Sequence, residues 1–118
     1  MEFLNTNVGK RMQNAARAKT LYREQPFVLG VDAKEFYPDQ KKGEMVLIQG
    51  IIDAFFYEDG QIVLLDYKTD HVDNAQELVH RYKKQLELYA DALSRFSGEK
   101  PVKEILIYSF ALAEEIVI

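Results

Sequence analysis

Apolar positions recur along the chain with two different periods, and the places where the period changes divide it into elements. Over residues 4 to 18, Val8, Met12, Ala15 and Ala16 fall at helical spacing behind the capping candidates Asn5 and Thr6, which predicts a short helix. Residues 21 to 32 read as extended, with a break or bulge expected near Pro26, and the polar stretch from Lys34 to Glu44, with Pro38 and Gly43, reads as a loop. Two apolar runs follow, VLIQGIIDAFFYE and QIVLLDYK, split by Asp59-Gly60. Both residues tolerate the positive φ of a tight reversal, so an antiparallel hairpin is expected over 46 to 68. From 73 to 96 the period returns to three and four, through Val79, Tyr82, Leu86, Tyr89, Leu93 and Phe96. That predicts a long amphipathic helix, ended by Gly98 and Pro101. KEILIYSFAL resumes a strand and EEIVI offers a last one. The predicted order is α-β-β-β-α-β, an α/β fold with a mixed sheet flanked by helices.

The hairpin turns this pattern into chemistry. With a two-residue loop Glu58 faces Gln61, and stepping along the pair puts Asp53 opposite Asp66. Alternation puts Lys68 on the same face as Asp66, so Asp53, Asp66 and Lys68 converge. On that face their neighbours are Ile51, Phe55, Ile62 and Leu64, while Ile52, Ala54, Phe56, Val63 and Leu65 are expected on the other. Both faces being apolar, the strand should be covered on two sides, and paired carboxylates there need a proton or a cation. Mg²⁺ suits two carboxylates with water and phosphate making up the rest, and Mn²⁺ is the natural substitute. The plainer alternative is that Lys68 neutralises Asp66, with Asp53 at a wet strand end. A three-residue loop would shift the register by one and part the acids.

Composition narrows the setting. The 118 residues, 47% apolar, suit one domain over 1 to 118. No apolar run approaches the length of a membrane helix and no segment reads as a signal peptide, so a soluble, cytoplasmic protein without membrane contact is expected. With no cysteine, thiolate zinc sites and a cysteine nucleophile are excluded. The net charge of −4 hides an asymmetry, +4 over residues 1 to 23 and −8 over the remainder. The basic stretch suits either a phosphate backbone or a solvated helix surface.

Gly50-Ile-Ile-Asp53, then Asp66-Tyr67-Lys68-Thr69-Asp70, then Gln85 with Tyr89, resemble the G-x-x-D, D-Y-K-T and Q-x-x-x-Y motifs of RecB-like nucleases of the PD-(D/E)XK superfamily. The likeness runs from about Asn5 to the end of the chain and is nearest in character to the nuclease domains of AddA-type helicase-nucleases. It implies a restriction-endonuclease-like fold and Mg²⁺-dependent hydrolysis of DNA in double-strand-break repair and recombination. It also implies roles: Asp53 and Asp66 as metal ligands together with the Tyr67 carbonyl, Lys68 at the attacking water and phosphate, and Gln85 and Tyr89 on the DNA or bracing the site. A second, AddB-like subunit would be the protein partner. ATP would be used by the parent helicase, because no phosphate-cradling glycine loop is present here.

The resemblance also implies an upstream ligand, a histidine or an acid on a preceding helix, and only Glu2 and Glu24 are acidic before Asp32. A fragment beginning just after that helix is therefore expected. His71, in a loop, and His80, off the apolar stripe, are not expected to bind metal. Two other readings remain open: a catalytically silent nuclease-like module that clamps DNA or scaffolds a partner, and a free-standing exonuclease of related fold.

Overall fold

A computed structural model describes residues 6–32, 43–98 and 100–118. The order is α1 (Asn7–Arg17), β1 (Leu21–Asp32), β2 (Met45–Glu58), β3 (Gln61–Lys68), α2 (Ala75–Phe96), β4 (Val102–Ser109) and β5 (Glu114–Val117). The strands form one sheet in sequence order, antiparallel except for the parallel β3–β4 pair. That parallel pair is bridged by α2, as a crossover requires.

Local chemistry explains the boundaries. Thr6 caps α1 by accepting from the Gly9 amide, whereas Asn5 lies outside the described residues, as does most of the loop expected from Lys34 to Glu44. Asp59 and Gly60 take φ of 55° and 77°, the pair of positive values a two-residue hairpin turn needs, and Glu58 does pair with Gln61. Asn74 caps α2 through the Glu77 amide, and Gly98, at φ 77°, ends it.

Each face of the sheet buries one helix. Val8, Met12 and Ala15 of α1 pack on Ala54, Phe56, Val63, Leu65, Leu106 and Tyr108. Across the sheet, Ala90, Ala92 and Leu93 of α2 meet Phe27, Ile52, Phe55, Ile62 and Leu64, while Leu78 and Leu86 cover Ile107 and Ile116. The last position of the expected helical stripe departs from this: Phe96, at the end of α2, is 60% exposed and borders an open cleft with Pro26, Phe27 and Gly50 of the β1–β2 arm. An Arg11 fork fastens α1 on its polar side, with Nε and Nη2 on the Glu58 carboxylate at 3.0 and 2.8 Å and Nη2 on Glu104 at 2.8 Å. One of the basic residues near the N-terminus is thereby committed to the fold. Lys10, Arg17, Lys19 and Arg23 remain exposed.

The expected alternation fails at one point. Ile52 packs with Phe27, Phe55 and Leu64 on the α2 side, whereas Ala54, which should share its face, packs on α1. The change of face falls at Asp53 on β2 and at Glu24 on β1, the positions skipped between the pairs Arg23–Ala54 and Gln25–Ile52. Glu24 has φ 52°, which reverses the local pleat; the irregularity thus lies two residues before Pro26, which itself pairs with Ile51. Beyond it β2 leaves β3. Their ladder ends at Ala54–Leu65, one step short of Asp53 and Asp66, and β1 with the first half of β2 continues as a two-stranded arm. Cover on both sides ends there as well, leaving Ile51 59% exposed.

Candidate active site

The site lies in the fork between β2 and β3. Instead of a ladder bond, the Tyr67 amide donates to Asp53 Oδ2 at 2.9 Å, so the first aspartate is held by the backbone of the next strand. N–H and C=O of one strand residue point to the same side, so the Tyr67 carbonyl also faces the fork. On the other side the Lys68 carbonyl accepts from the Phe110 amide at 3.0 Å, and Asp66 through Lys68 pair with Ile107 through Ser109 of β4. One edge of β3 is thereby locked while the other opens onto the acids.

Asp66 is 5% exposed. Its Oδ2 lies 3.0 Å from Lys68 Nζ, an ion pair by distance, but off the line of a hydrogen bond, and this buried oxygen has no hydrogen-bond partner among the described residues. Burial pushes the Asp66 pKa up to about 6; Lys68 pulls it back, and the nearby Asp53 carboxylate raises it again. Burial likewise works to lower the Lys68 pKa, but the ion-pair contact with Asp66 outweighs it and the net direction is upward. The ammonium is therefore charged near neutral pH. Lys68 offsets the charge of Asp66, as the plainer reading expects, and leaves Oδ2 without a hydrogen bond.

An under-compensated buried carboxylate, a second acid held beside it and a carbonyl on the same side make a donor set that fits a hard divalent ion. Asp53, Asp66 and the Tyr67 carbonyl are the residues that would hold one. Among the described residues no three His, Asp or Glu side chains gather as a metal cage. Glu24 is exposed and stands beside Asp53 across the β1–β2 gap, but joins no such group. Glu2 lies outside the described residues, and His71 and His80 are exposed.

Tyr89 reaches the fork from α2, and the exposed Gln85 joins it one turn away. Gln85 Nε2 donates to the Tyr89 hydroxyl at 3.3 Å, and the Tyr89 ring meets Phe27 edge-on, with centroids 4.8 Å apart. Burial raises the Tyr89 pKa, with further influence from the charges of Asp66, Lys68 and Asp53, which places its hydroxyl in their field. Gly50 explains how it fits. A β-carbon there would stand 2.8 Å from the Tyr89 hydroxyl and 2.8 Å from the Phe27 ring, closer than such contacts allow. The glycine of G-x-x-D thus makes room for the tyrosine of Q-x-x-x-Y, a link between motifs that spacing cannot express.

Two further residues escaped the sequence reading. The Tyr82 ring lies under Lys68 Nζ at 4.0 Å, and its hydroxyl donates to Asp70 Oδ2 at 2.6 Å, where Arg81 also binds at 3.1 Å. The hydrogen bond from Tyr82, with help from Arg81, lowers the Asp70 pKa. Tyr82 stood in the apolar stripe, and Asp70 in the D-Y-K-T-D run, without a reason to connect them.

A family model of the PD-(D/E)XK nuclease superfamily matches residues 4–115. The chain belongs to the PD-(D/E)XK nuclease superfamily. Among curated relatives, an ATP-dependent helicase/nuclease subunit of Clostridioides difficile (strain 630) is 42% identical over 127 residues, covering 98% of this chain and 10% of that protein. The protein of the same name from Clostridium botulinum (strain Alaska E43 / Type E3) is 40% identical, covering 100% of this chain and 10% of that protein. The chain spans about a tenth of the length of these relatives. It is a nuclease domain homologous to those AddA-type proteins, as the three motifs imply. The crystal structure of SSO0001 shares the fold, with a TM-score of 0.55 at 17% identity over 94% of this chain and 46% of the other. The superfamily is in general divalent-metal dependent. Among the described residues no helix is long and apolar enough to cross a membrane.

Proposed function

We propose that this domain is a Mg²⁺-dependent deoxyribonuclease, with Mn²⁺ able to substitute, acting within a cytoplasmic ATP-dependent helicase-nuclease that processes double-strand breaks for repair and recombination. The observation that carries the reading is the fork itself: Asp66 buried with an unsatisfied oxygen, next to an Asp53 held by the Tyr67 amide. Asp53, Asp66 and the Tyr67 carbonyl would hold the ion. When bound, it supplies Lewis-acid polarisation of the scissile phosphate and a water of lowered pKa.

The remaining work falls to the chain. Lys68, kept protonated by Asp66, stabilises charge developing on the phosphate and orients the incoming water, a better match than removal of a proton. Tyr89, with Gln85 bonded to it, would contact the DNA strand or brace the site from α2. Water adds at phosphorus and gives up a proton to solvent, the bond to the 3′ oxygen breaks, and that oxygen takes a proton from solvent and leaves as a hydroxyl, the phosphate remaining on the 5′ side. The parent protein would supply ATP-driven unwinding and a contact with a second, AddB-like subunit.

One observation favours a second reading, a silent module that clamps DNA or scaffolds a partner: only two carboxylates meet in the fork among the described residues. Cleavage of labelled linear DNA decides between them, run with Mg²⁺ or with a chelator on the chain, on Asp66→Ala and on a version extended at its N-terminus. Cleavage that needs Mg²⁺ and is absent from Asp66→Ala is the expected result. No cleavage by either the chain or its extended version favours the silent module, and equal cleavage by parent and Asp66→Ala overturns the assigned site.

A further inference from the structure

We infer that Tyr82 is a positioning residue for Lys68: its ring forms the floor on which the ammonium rests, and Asp70, by bonding the Tyr82 hydroxyl, fixes that floor in place. The inference rests on the nuclease reading for its catalytic consequence, but not for its geometry.

Lys68 carries four rotatable side-chain bonds, and Asp66 alone, in ion-pair range but off the hydrogen-bond line, leaves the ammonium free to swing about one contact. The Tyr82 face, 4.0 Å from Nζ, gives the ammonium a second contact, of the cation–π kind. The ring is not an idle part of the helix stripe. Its edge packs in the cluster of Leu78, Leu86 and Ile107, and its hydroxyl reaches out of that cluster to Asp70 at 2.6 Å. Asp70 is held in turn by Arg81, one residue before Tyr82, which also pairs with Glu77 a turn earlier. Asp70, two places after Lys68, thus holds the hydroxyl of a ring whose other end is packed by Leu78, Leu86 and Ile107. This adds a function to the last acid of D-Y-K-T-D, which the metal site does not use. The order imposed matters because displacing a charge by about 1 Å from a reacting phosphate can cost on the order of a hundredfold in rate.

The test uses Tyr82→Leu, which removes ring and hydroxyl, Tyr82→Phe, which restores the ring, and Asp70→Asn, which weakens the hold without touching the core. Two measurements are made: kcat and KM for cleavage of linear DNA with Mg²⁺, and the NMR order parameter of the Lys68 ammonium without metal. Tyr82→Leu should lower kcat roughly tenfold with KM within about twofold, and Tyr82→Phe should recover most of it. The Lys68 order parameter should fall furthest in Tyr82→Leu, and part-way in both Tyr82→Phe and Asp70→Asn, which keep the ring but lose or weaken its bond to position 70. An unchanged order parameter in both folded Tyr82→Leu and Asp70→Asn overturns the inference, as does a loss confined to KM. If neither the parent nor its N-terminally extended version cleaves DNA, the nuclease reading fails while the order parameters still decide whether Tyr82 holds Lys68.

Discussion

The amide of Tyr67 donates to the carboxylate of Asp53 at 2.9 Å, just where the ladder between β2 and β3 stops. A side chain here takes the place of a backbone acceptor, so the strands separate without orphaning a buried N–H. The same bond fixes an acid at the mouth of the opening and turns the Tyr67 carbonyl toward it. Asp53→Asn retains an oxygen acceptor for that amide but loses the charge. Cleavage should drop by about a hundredfold or more, while stability changes by no more than about 1 kcal/mol. Slow hydrogen exchange at the Tyr67 amide should survive in Asp53→Asn and be lost in Asp53→Ala; equal exchange in both would mean the bond does not hold the fork.

Gly50→Ala tests the link between the first and third motifs. The added methyl would meet the Tyr89 hydroxyl and the Phe27 ring at 2.8 Å, so the ring pair must shift. Overpacking of this kind costs about 1–3 kcal/mol, and activity should fall with it because Tyr89 moves. Urea unfolding and the cleavage assay read the two effects. A variant of parental stability and rate would show that the space above Gly50 is not needed.

Asp66 should make the metal-free protein more stable as the medium is acidified. Its folded pKa of about 6 lies above the unfolded value of about 3.8, so between those values the folded chain binds more protons and stability falls as pH rises. The penalty is complete above about pH 7, and returning to about pH 5 should recover on the order of 1–2 kcal/mol. Asp66→Asn should flatten that slope. Mg²⁺ should raise the melting temperature of the parent at neutral pH and leave Asp66→Asn unmoved, which thermal unfolding with and without the ion reads directly.

The Arg11 fork gives the opposite slope. Hydrogen bonds from Arg11, then from Lys103, hold the Glu58 pKa near 2, below its ordinary 4.5. That contribution is present above about pH 4.5 and is lost as pH falls through about 2. Arg11→Met should cost about 1–2 kcal/mol at neutral pH, discounted because the Glu58 side chain is 31% exposed, and should leave cleavage intact. An acid-unfolding curve that coincides with the parent would remove the fork from the account of stability.

Much of this was legible in the sequence because the signals are local. Asp59-Gly60 specifies its own turn, Thr6 caps the helix that follows it, and the three- and four-residue spacing of α2 records which side meets the sheet. The convergence of Asp53, Asp66 and Lys68 followed from the turn by counting. The count missed the change of face at Asp53, because a pleat reversal at Glu24 lies on another strand and leaves no mark in the period of β2.

By itself the sequence determined the elements, the register of the hairpin and the set of acids brought to one end of it, since each is governed by residues within a few places of one another. Tertiary structure alone decided how those residues are held. Whether Asp66 is left with an oxygen lacking a hydrogen bond, Gly50 gives way to Tyr89, Arg11 is spent on Glu58 and Glu104, or Tyr82 backs Lys68 depends on distant segments meeting at ångström separations. Burial, and with it the energy of a charge or a hydrogen bond, exists only once those segments have packed.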